Sequence, residues 1–255
     1  MRENKKQHHL ENLSTHKESI KNFLPTSYNV NIFLDQFATE LTRFPMTVRQ
    51  SSIIGAMYRV AQIGLYPSEG YGYVYFNVDK FNDLQFMIGY KGYLELMYRS
   101  GKISACFGKV VYDNDSFDFL LGTNPSITHI PFGTTNEPKE AYFYIKFTDG
   151  TVLADVMTAD KIKLMRLMAG AYSEFWDKHY DTMAVKTVLM SLVKYTPISF
   201  EMSLALSLDS LVQNGASQGN RYEFDDHEDF KGNTPKKKGL DALQNSLDEF
   251  NKKNP

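Results

Sequence analysis

Residues 140–157 read EAYFYIKFTDGTVLADVM. Asp149-Gly150 is a strong short hairpin signal, because a two-residue turn that matches strand twist needs positive φ at both positions. On the arm before it, Glu140–Phe147, alternation puts Tyr142, Tyr144 and Lys146 on one face. Phe143, Ile145 and Phe147 fall on the other face, toward a core. Thr151–Met157 returns as the second arm. The centre of this chain is therefore antiparallel sheet.

Working outward, Ile103–Tyr112 and Ser116–Leu121 read as strands. Residues 122–139 are rich in Gly, Pro, Asn and Thr and read as a long loop with a short strand at Ser126–Ile130. Leu84–Ile88 is another strand. In Tyr71–Val78, Tyr71, Tyr73 and Tyr75 face one way and Val74, Phe76 and Val78 the other. On either side the period becomes helical. Val30, Phe33, Leu34, Phe37 and Leu41 define one helix. A second starts at Thr47 as N-cap, buries Ile53, Met57, Val60 and Ala61, and is ended by Pro67. Gly89-Tyr90-Lys91-Gly92 opens a short helix that stops at Ser100-Gly101. Thr158–Met168, Tyr172–Tyr195 and Ser199–Val212 follow as helices. Helices, then antiparallel strands, then helices make an α+β fold with a central, mostly antiparallel sheet.

The ends differ in character. Residues 1–28 are polar, include His8, His9 and His16, and are expected to be a mobile arm. The core domain spans 29–212. Residues 213–238, with the acidic run Asp225–Asp229, read as a flexible linker. Residues 239–255 place Leu240, Leu243, Leu247 and Phe250 at helical spacing, in a segment too short to be stable alone. It is expected to dock on its own domain or on a partner.

Composition narrows the function. The 255 residues carry 28 basic and 30 acidic side chains, a net charge of -2. Residues 1–47 hold six basic against five acidic, 48–212 hold 15 against 17, and 213–255 hold seven against eight. No segment is basic, so any phosphate binding must rest on where a few cations sit. Cys106 is the one cysteine, which excludes a disulfide within the chain and a cysteine-based zinc site. There is no signal-peptide pattern and no apolar run of ~18 residues, so a cytosolic protein is expected.

Enzyme motifs fail on inspection. Gly101-Lys102 is followed by Ile103, and Leu96 stands where a phosphate-binding loop needs glycine. Gly70-Tyr71-Gly72 lacks the third glycine of a dinucleotide loop. No Gly-x-Ser-x-Gly elbow exists. Asp113 and Asp115 would need further carboxylates to form a metal-dependent nuclease, and read more simply as turn residues. Two positive features remain. The Tyr142, Tyr144 and Lys146 face suits unpaired bases, although Tyr also simply favours half-buried strands. Lys186, Met190 and Lys194 form a helical stripe whose lysines are ~12 Å apart. That stripe suits phosphates, although exposed lysines usually serve solubility alone.

Four blocks in order give the chain a resemblance. They are Pro45-Met46-Thr47-Val48 with Gly64-Leu65-Tyr66-Pro67; Phe86 to Leu96 with Arg99-Ser100-Gly101; Ala141-Tyr142 with Asp149-Gly150; and Phe175-Trp176 with Asp181 to Val188 and Lys194 to Ser199. Over about residues 45–210 the sequence resembles the RecT family of phage single-strand annealing proteins. The resemblance implies binding of single-stranded DNA and its annealed duplex, without nucleotide hydrolysis and without catalytic residues. It also implies homo-oligomers, as rings or helical filaments, in the cytoplasm of a bacterial host. A phage exonuclease and the host single-strand-binding protein are the implied partners. No cofactor is expected, with magnesium left open as an assisting ion. Lys91, Arg99, Lys186 and Lys194 match family motifs and are expected to line a DNA groove. Tyr90 of the same block is grouped with them, and Lys146, Tyr142 and Tyr144 join on face geometry. Tyr66, Asn77 and Met190-Ser191 depart from the family pattern, the last by removing charge from the lysine helix.

Overall fold

The computed structural model describes residues 2–133, 137–168, 173–197, 199–213 and 218. Helices α1 (Arg2–Ser14), α2 (Lys17–Lys21), α3 (Val30–Leu41) and α4 (Gln50–Ile63) come first. Strands β1 (Val74–Val78) and β2 (Leu84–Ile88) form an antiparallel pair, followed by α5 (Tyr90–Arg99). Then come β3 (Ile103–Tyr112), β4 (Ser116–Leu120), β5 (Ser126–Ile130), β6 (Pro138–Phe147) and β7 (Val152–Thr158). The chain continues through α6 (Ala159–Met168), α7 (Ser173–Lys178), α8 (Tyr180–Val193) and α9 (Phe200–Gln213). The α+β reading holds. The sheet itself is three antiparallel pieces: β1-β2, β3-β6-β7 and β4-β5.

The hairpin at Asp149-Gly150 forms, but through a longer turn than the expected two-residue one: Phe147 and Thr151 close it, the Gly150 amide donates to the Phe147 carbonyl at 3.1 Å, and of the pair only Gly150 has positive φ. Gly150 has φ +90°, and Asp149 accepts the Thr151 amide at 2.8 Å. Register places Phe107 opposite Tyr144 and Ala154 on one face, and Gly108, Phe143 and Asp155 on the other. The second face packs on α8. Gly108 has no side chain because a Cβ there would lie 2.7 Å from Val185 Cγ1 and 2.5 Å from the Tyr142 carbonyl.

The N-terminal segment is not a mobile arm. Leu13, Ile20 and Leu24 are buried with α3 residues Phe33 and Phe37 in the core. Lys6 pairs with Asp35 at 2.7 Å, and Lys5 donates to the Phe44 carbonyl at 3.2 Å. The sequence is polar because these short helices bury only a narrow stripe and leave the rest in water. The helix expected from Thr47 begins at Gln50, with Arg49 still extended.

The expected single helix at 172–195 is two. His179 takes φ -138° and ψ 43°, which breaks the run, and Trp176 of α7 is buried with its ring 6.1 Å from that of Tyr180 at the start of α8. Helix α8 is not amphipathic in the expected way. It lies between the β3-β6-β7 sheet and the layer of α5, α9 and β2, so it buries Met183 through Lys186, Val188, Leu189, Leu192 and Val193. An all-round apolar helix is the signature of a central one.

The free edge of β2 is closed by side chains. The amides of Leu84, Phe86 and Ile88 donate to Ser52 Oγ at 2.9 Å, Gln218 Oε1 at 2.9 Å and Asp209 Oδ1 at 3.3 Å. The Phe86 carbonyl accepts Gln218 Nε2 at 2.8 Å, and the Ile88 carbonyl accepts Lys186 Nζ at 2.7 Å. An open strand edge would otherwise present unpaired backbone groups. Gln218 therefore belongs to the core, inside the span read as linker from residue 213. The remaining linker, with the Asp225–Asp229 run, and the segment 239–255 lie outside the described residues.

Candidate nucleic-acid interface

The outer face of β3-β6-β7 carries three rows. Ala105, Lys146 and Val152 form the first; Phe107, Tyr144 and Ala154 the second; Lys109, Tyr142 and Val156 the third. Small Ala154 beside Tyr144 leaves the second row prominent. Phe107 is 48% exposed, and its ring lies 5.3 Å from that of Tyr144 at a 30° tilt. Lys146 and Lys109 are exposed on either side. Four residues of strand separate their rows, or about 13 Å. Two rings between two ammonium groups give a surface that stacks bases and attracts phosphates.

The two ends of this face differ in charge. At the end where β3 begins, Lys102 accepts the Thr148 amide through its carbonyl at 2.9 Å. There Ile103 and Ser100 share a crevice with Thr196 and Pro197, which bring the end of α8 alongside. Exposed Lys194 lies 4.9 Å over the Tyr195 ring. At the opposite end a cleft of about 1290 Å³ opens among Tyr90, Lys109, Asp113, Glu137 and Asp181. Asp113, Asp115, Glu137 and Asp181 outnumber Lys109 in its lining, so phosphate is less favoured here than at the Lys146 end.

The structure does not bring all eight expected residues into one groove. Lys186 is a correction: it is buried, 2.7 Å from Asp209 Oδ2, and 5.4 Å from the Tyr93 ring centre. Asp209 also accepts the Tyr93 hydroxyl at 3.0 Å. This ammonium faces a strand edge, not solvent. Arg99 is a second structural lock. It donates to the Gly64 carbonyl at 2.8 Å and Tyr28 Oη at 3.1 Å, and it pairs with Glu95 at 3.3 Å. Tyr28 stacks on Tyr66 at 4.1 Å, and burial pushes its hydroxyl up to about 12 against the pull of Arg99. Tyr66, a departure from the family pattern, is thus part of the same clamp.

Lys91 is exposed, its stem running past Gly72. The glycines around it permit close backbone approach. A Cβ on Gly89 would meet the Gly72 carbonyl at 2.2 Å, and one on Gly92 the Tyr73 carbonyl at 2.6 Å. Tyr90 turns its ring edge toward Phe143, 6.1 Å away, and burial raises its hydroxyl to about 12. Tyr142 is covered. Phe117 of β4 stacks on it at 5.5 Å, and His129 Nδ1 lies 3.3 Å from its hydroxyl. Tyr144, Lys146 and Lys194 remain open. Phe107 and Lys109 were missed, although the alternation of β3 against Cys106 and Val110 marks them as outward.

Asp115 anchors the turn after β3. Its carboxylate accepts the amides of Tyr112 at 2.9 Å and Phe132 at 2.8 Å, and it meets His129 Nε2 at 3.1 Å. These bonds, the backbone amides first, hold its carboxyl down at about 2 against an ordinary 3.8. A depressed folded value means the anchoring is complete above pH 4 and fades as pH falls toward 2. NMR signals of residues 116–132 are expected to hold at pH 5 and to shift between pH 4 and 2. A shift centred above pH 5 would show that Asp115 is not the controlling group.

An α+β body with an open antiparallel face of rings and lysines defines the class. Among the described residues, no helix is long and apolar enough to cross a membrane. The model of the RecT family matches residues 33–224, and the chain belongs to that family. It is 29% identical over 204 residues to Protein RecT of Escherichia coli (strain K12), a match covering 76% of each chain. Membership makes it a recombination protein of the single-strand annealing kind.

Proposed function

We propose that this protein binds single-stranded DNA on the outer face of β3-β6-β7 and anneals complementary strands as an oligomer, without nucleotide hydrolysis. The observation that carries the reading is exposed Phe107, with half-buried Tyr144 beside it, between Lys109 and Lys146. Bases stack on the rings, and phosphates lie toward the end that carries Lys102, Lys146 and Lys194. Annealing draws its free energy from pairing and stacking in the product, on the order of 1.4 kcal/mol per step. The protein supplies alignment and screens the repulsion between strands. An exonuclease that creates single strands and a single-strand-binding protein that first covers them are the proposed working partners, in the cytoplasm of a bacterial host.

The test is a nucleotide-free annealing assay with two complementary oligonucleotides at several salt concentrations, with and without magnesium. Faster annealing that declines as salt rises is expected. Slower annealing than in buffer alone would make the protein a passive coat. Lys146→Ala should weaken binding and lower the salt slope by about 0.7, the share of one phosphate on a single strand. Filter binding between low and moderate salt measures it, and an unchanged slope would remove Lys146 from the interface.

A further inference from the structure

The ring contacts of the outer face do not stop at the sheet. Phe107 lies 5.3 Å from Tyr144 and 6.3 Å from Tyr142. Tyr142 carries Phe117 of β4 stacked at 5.5 Å and 21°. Phe117 in turn lies 5.4 Å from Phe119 at a 35° tilt. These five rings form one unbroken track from the β3-β6-β7 sheet onto the β4-β5 hairpin. Tyr142, 3% exposed, is the joint, and rings stand open on both sides of it. Phe107 is 48% exposed on the sheet, and Phe119 is 41% exposed on the hairpin.

Sidedness selects what this track takes. Register pairs Phe117 with His129 and Phe119 with Ile127, on the hairpin face that meets Tyr142. Alternation sends Asp118, Leu120, Thr128 and Ile130 to the opposite face, where all four are exposed. The face continuous with the sheet thus offers an open ring and no carboxylate. Charges at the base of the hairpin are mixed. Exposed Lys109 and Lys139 stand with exposed Asp113 and Glu137. Asp115 is taken up by the Tyr112 and Phe132 amides and His129, and Asp181 accepts the Tyr112 hydroxyl. Such a mixture gives a phosphate little, whereas a ring takes any base by its π-face. We propose that single-stranded DNA bound on the sheet continues onto the hairpin, with Phe119 as the last stacking platform. This rests on the proposed function and extends its site by a residue held on a separate element.

Fluorescence anisotropy of a labelled oligothymidylate with the full chain tests this. Phe119→Ala and Phe119→Leu should each weaken binding by roughly fivefold to 150-fold, the stacking of one base. The salt slope should stay unchanged, because no phosphate contact is lost. Leucine keeps apolar bulk on the hairpin, so its failure isolates the ring, and Phe119→Tyr should bind as wild type. Leu120→Ala, on the opposite face, should also bind as wild type. Cross-linking locates the contact directly. Trypsin cuts after Lys102, Lys109, Lys139 and Lys146, so Phe107, Phe119 and Tyr144 fall on separate peptides, 103–109, 110–139 and 140–146. An oligonucleotide carrying iododeoxyuridine should cross-link to all three, with the adduct on 110–139 at Phe119. Wild-type affinity in Phe119→Leu, or cross-links confined to 103–109 and 140–146, would overturn the extension and leave the sheet face standing. So would a loss in Leu120→Ala as large as that in Phe119→Leu, which would make the hairpin's fold responsible and not its ring. Cross-links on none of the three peptides would defeat the sheet face itself.

Discussion

Lys186→Ala is expected to lower the folding stability by ~3–5 kcal/mol, the cost of leaving a buried partner charge uncompensated. The lysine removed lies 2.7 Å from the buried Asp209 carboxylate. It also supplies the donor for the Ile88 carbonyl on the closed edge of β2. Urea unfolding should show the midpoint falling with little change in slope, since the surface exposed on unfolding is nearly the same. Lys194→Ala, by contrast, alters an exposed side chain and should leave the midpoint within ~0.5 kcal/mol of wild type. The outcome that defeats this assignment is a normal midpoint with weakened DNA binding and a flatter salt dependence. That pattern would make Lys186 a phosphate contact.

Removing both rings of the open face, Phe107→Ala with Tyr144→Ala, should cost the most in DNA affinity. Stacking contributes ~1–3 kcal/mol per base, so each ring accounts for roughly fivefold to 150-fold. The salt slope should stay unchanged, because rings release no counterions. Thermal stability should fall little at Phe107, which is half exposed. Fluorescence anisotropy of a labelled oligonucleotide at two salt concentrations separates the two effects. If affinity survives the double change, bases do not lie on this face. Tyr142→Ala is the control, since its ring supports the β4-β5 hairpin and its loss should loosen that hairpin.

Local patterning carried much of the fold. The Asp149-Gly150 hairpin, the two-residue period of β1 and β6, and the helical period of α3 each arise from neighbours in sequence. What failed depended on distant partners. Lys186 looks like an exposed cation until Asp209 and Ile88, 23 and 98 positions away, are placed beside it. Arg99 looks like a groove cation, yet its Nη2 is held by the Gly64 carbonyl and Tyr28. Tyr142 shares its alternation with Tyr144, and only the β4-β5 hairpin folding over it distinguishes them. The polar N-terminal helices give weak periodicity because few of their residues are buried. A motif match also did not separate a residue that holds the fold from one that holds a ligand. Two of the four matched cations, Arg99 and Lys186, hold the fold.

The clasp on β2 has a temporal side. Its members lie far apart along the chain: Phe86 waits 132 residues for Gln218, and Ile88 waits 121 for Asp209. At ~5–20 residues per second, a ribosome needs on the order of ten seconds to deliver them. During that interval β2 is made but its edge stands open, in the window when nascent strands stick to one another. A message truncated before codon 218 would release a chain that keeps every described helix and strand, with Ser52, Lys186 and Asp209 at the two ends of that edge. It would leave the amide and carbonyl of Phe86 between them without their Gln218 partner.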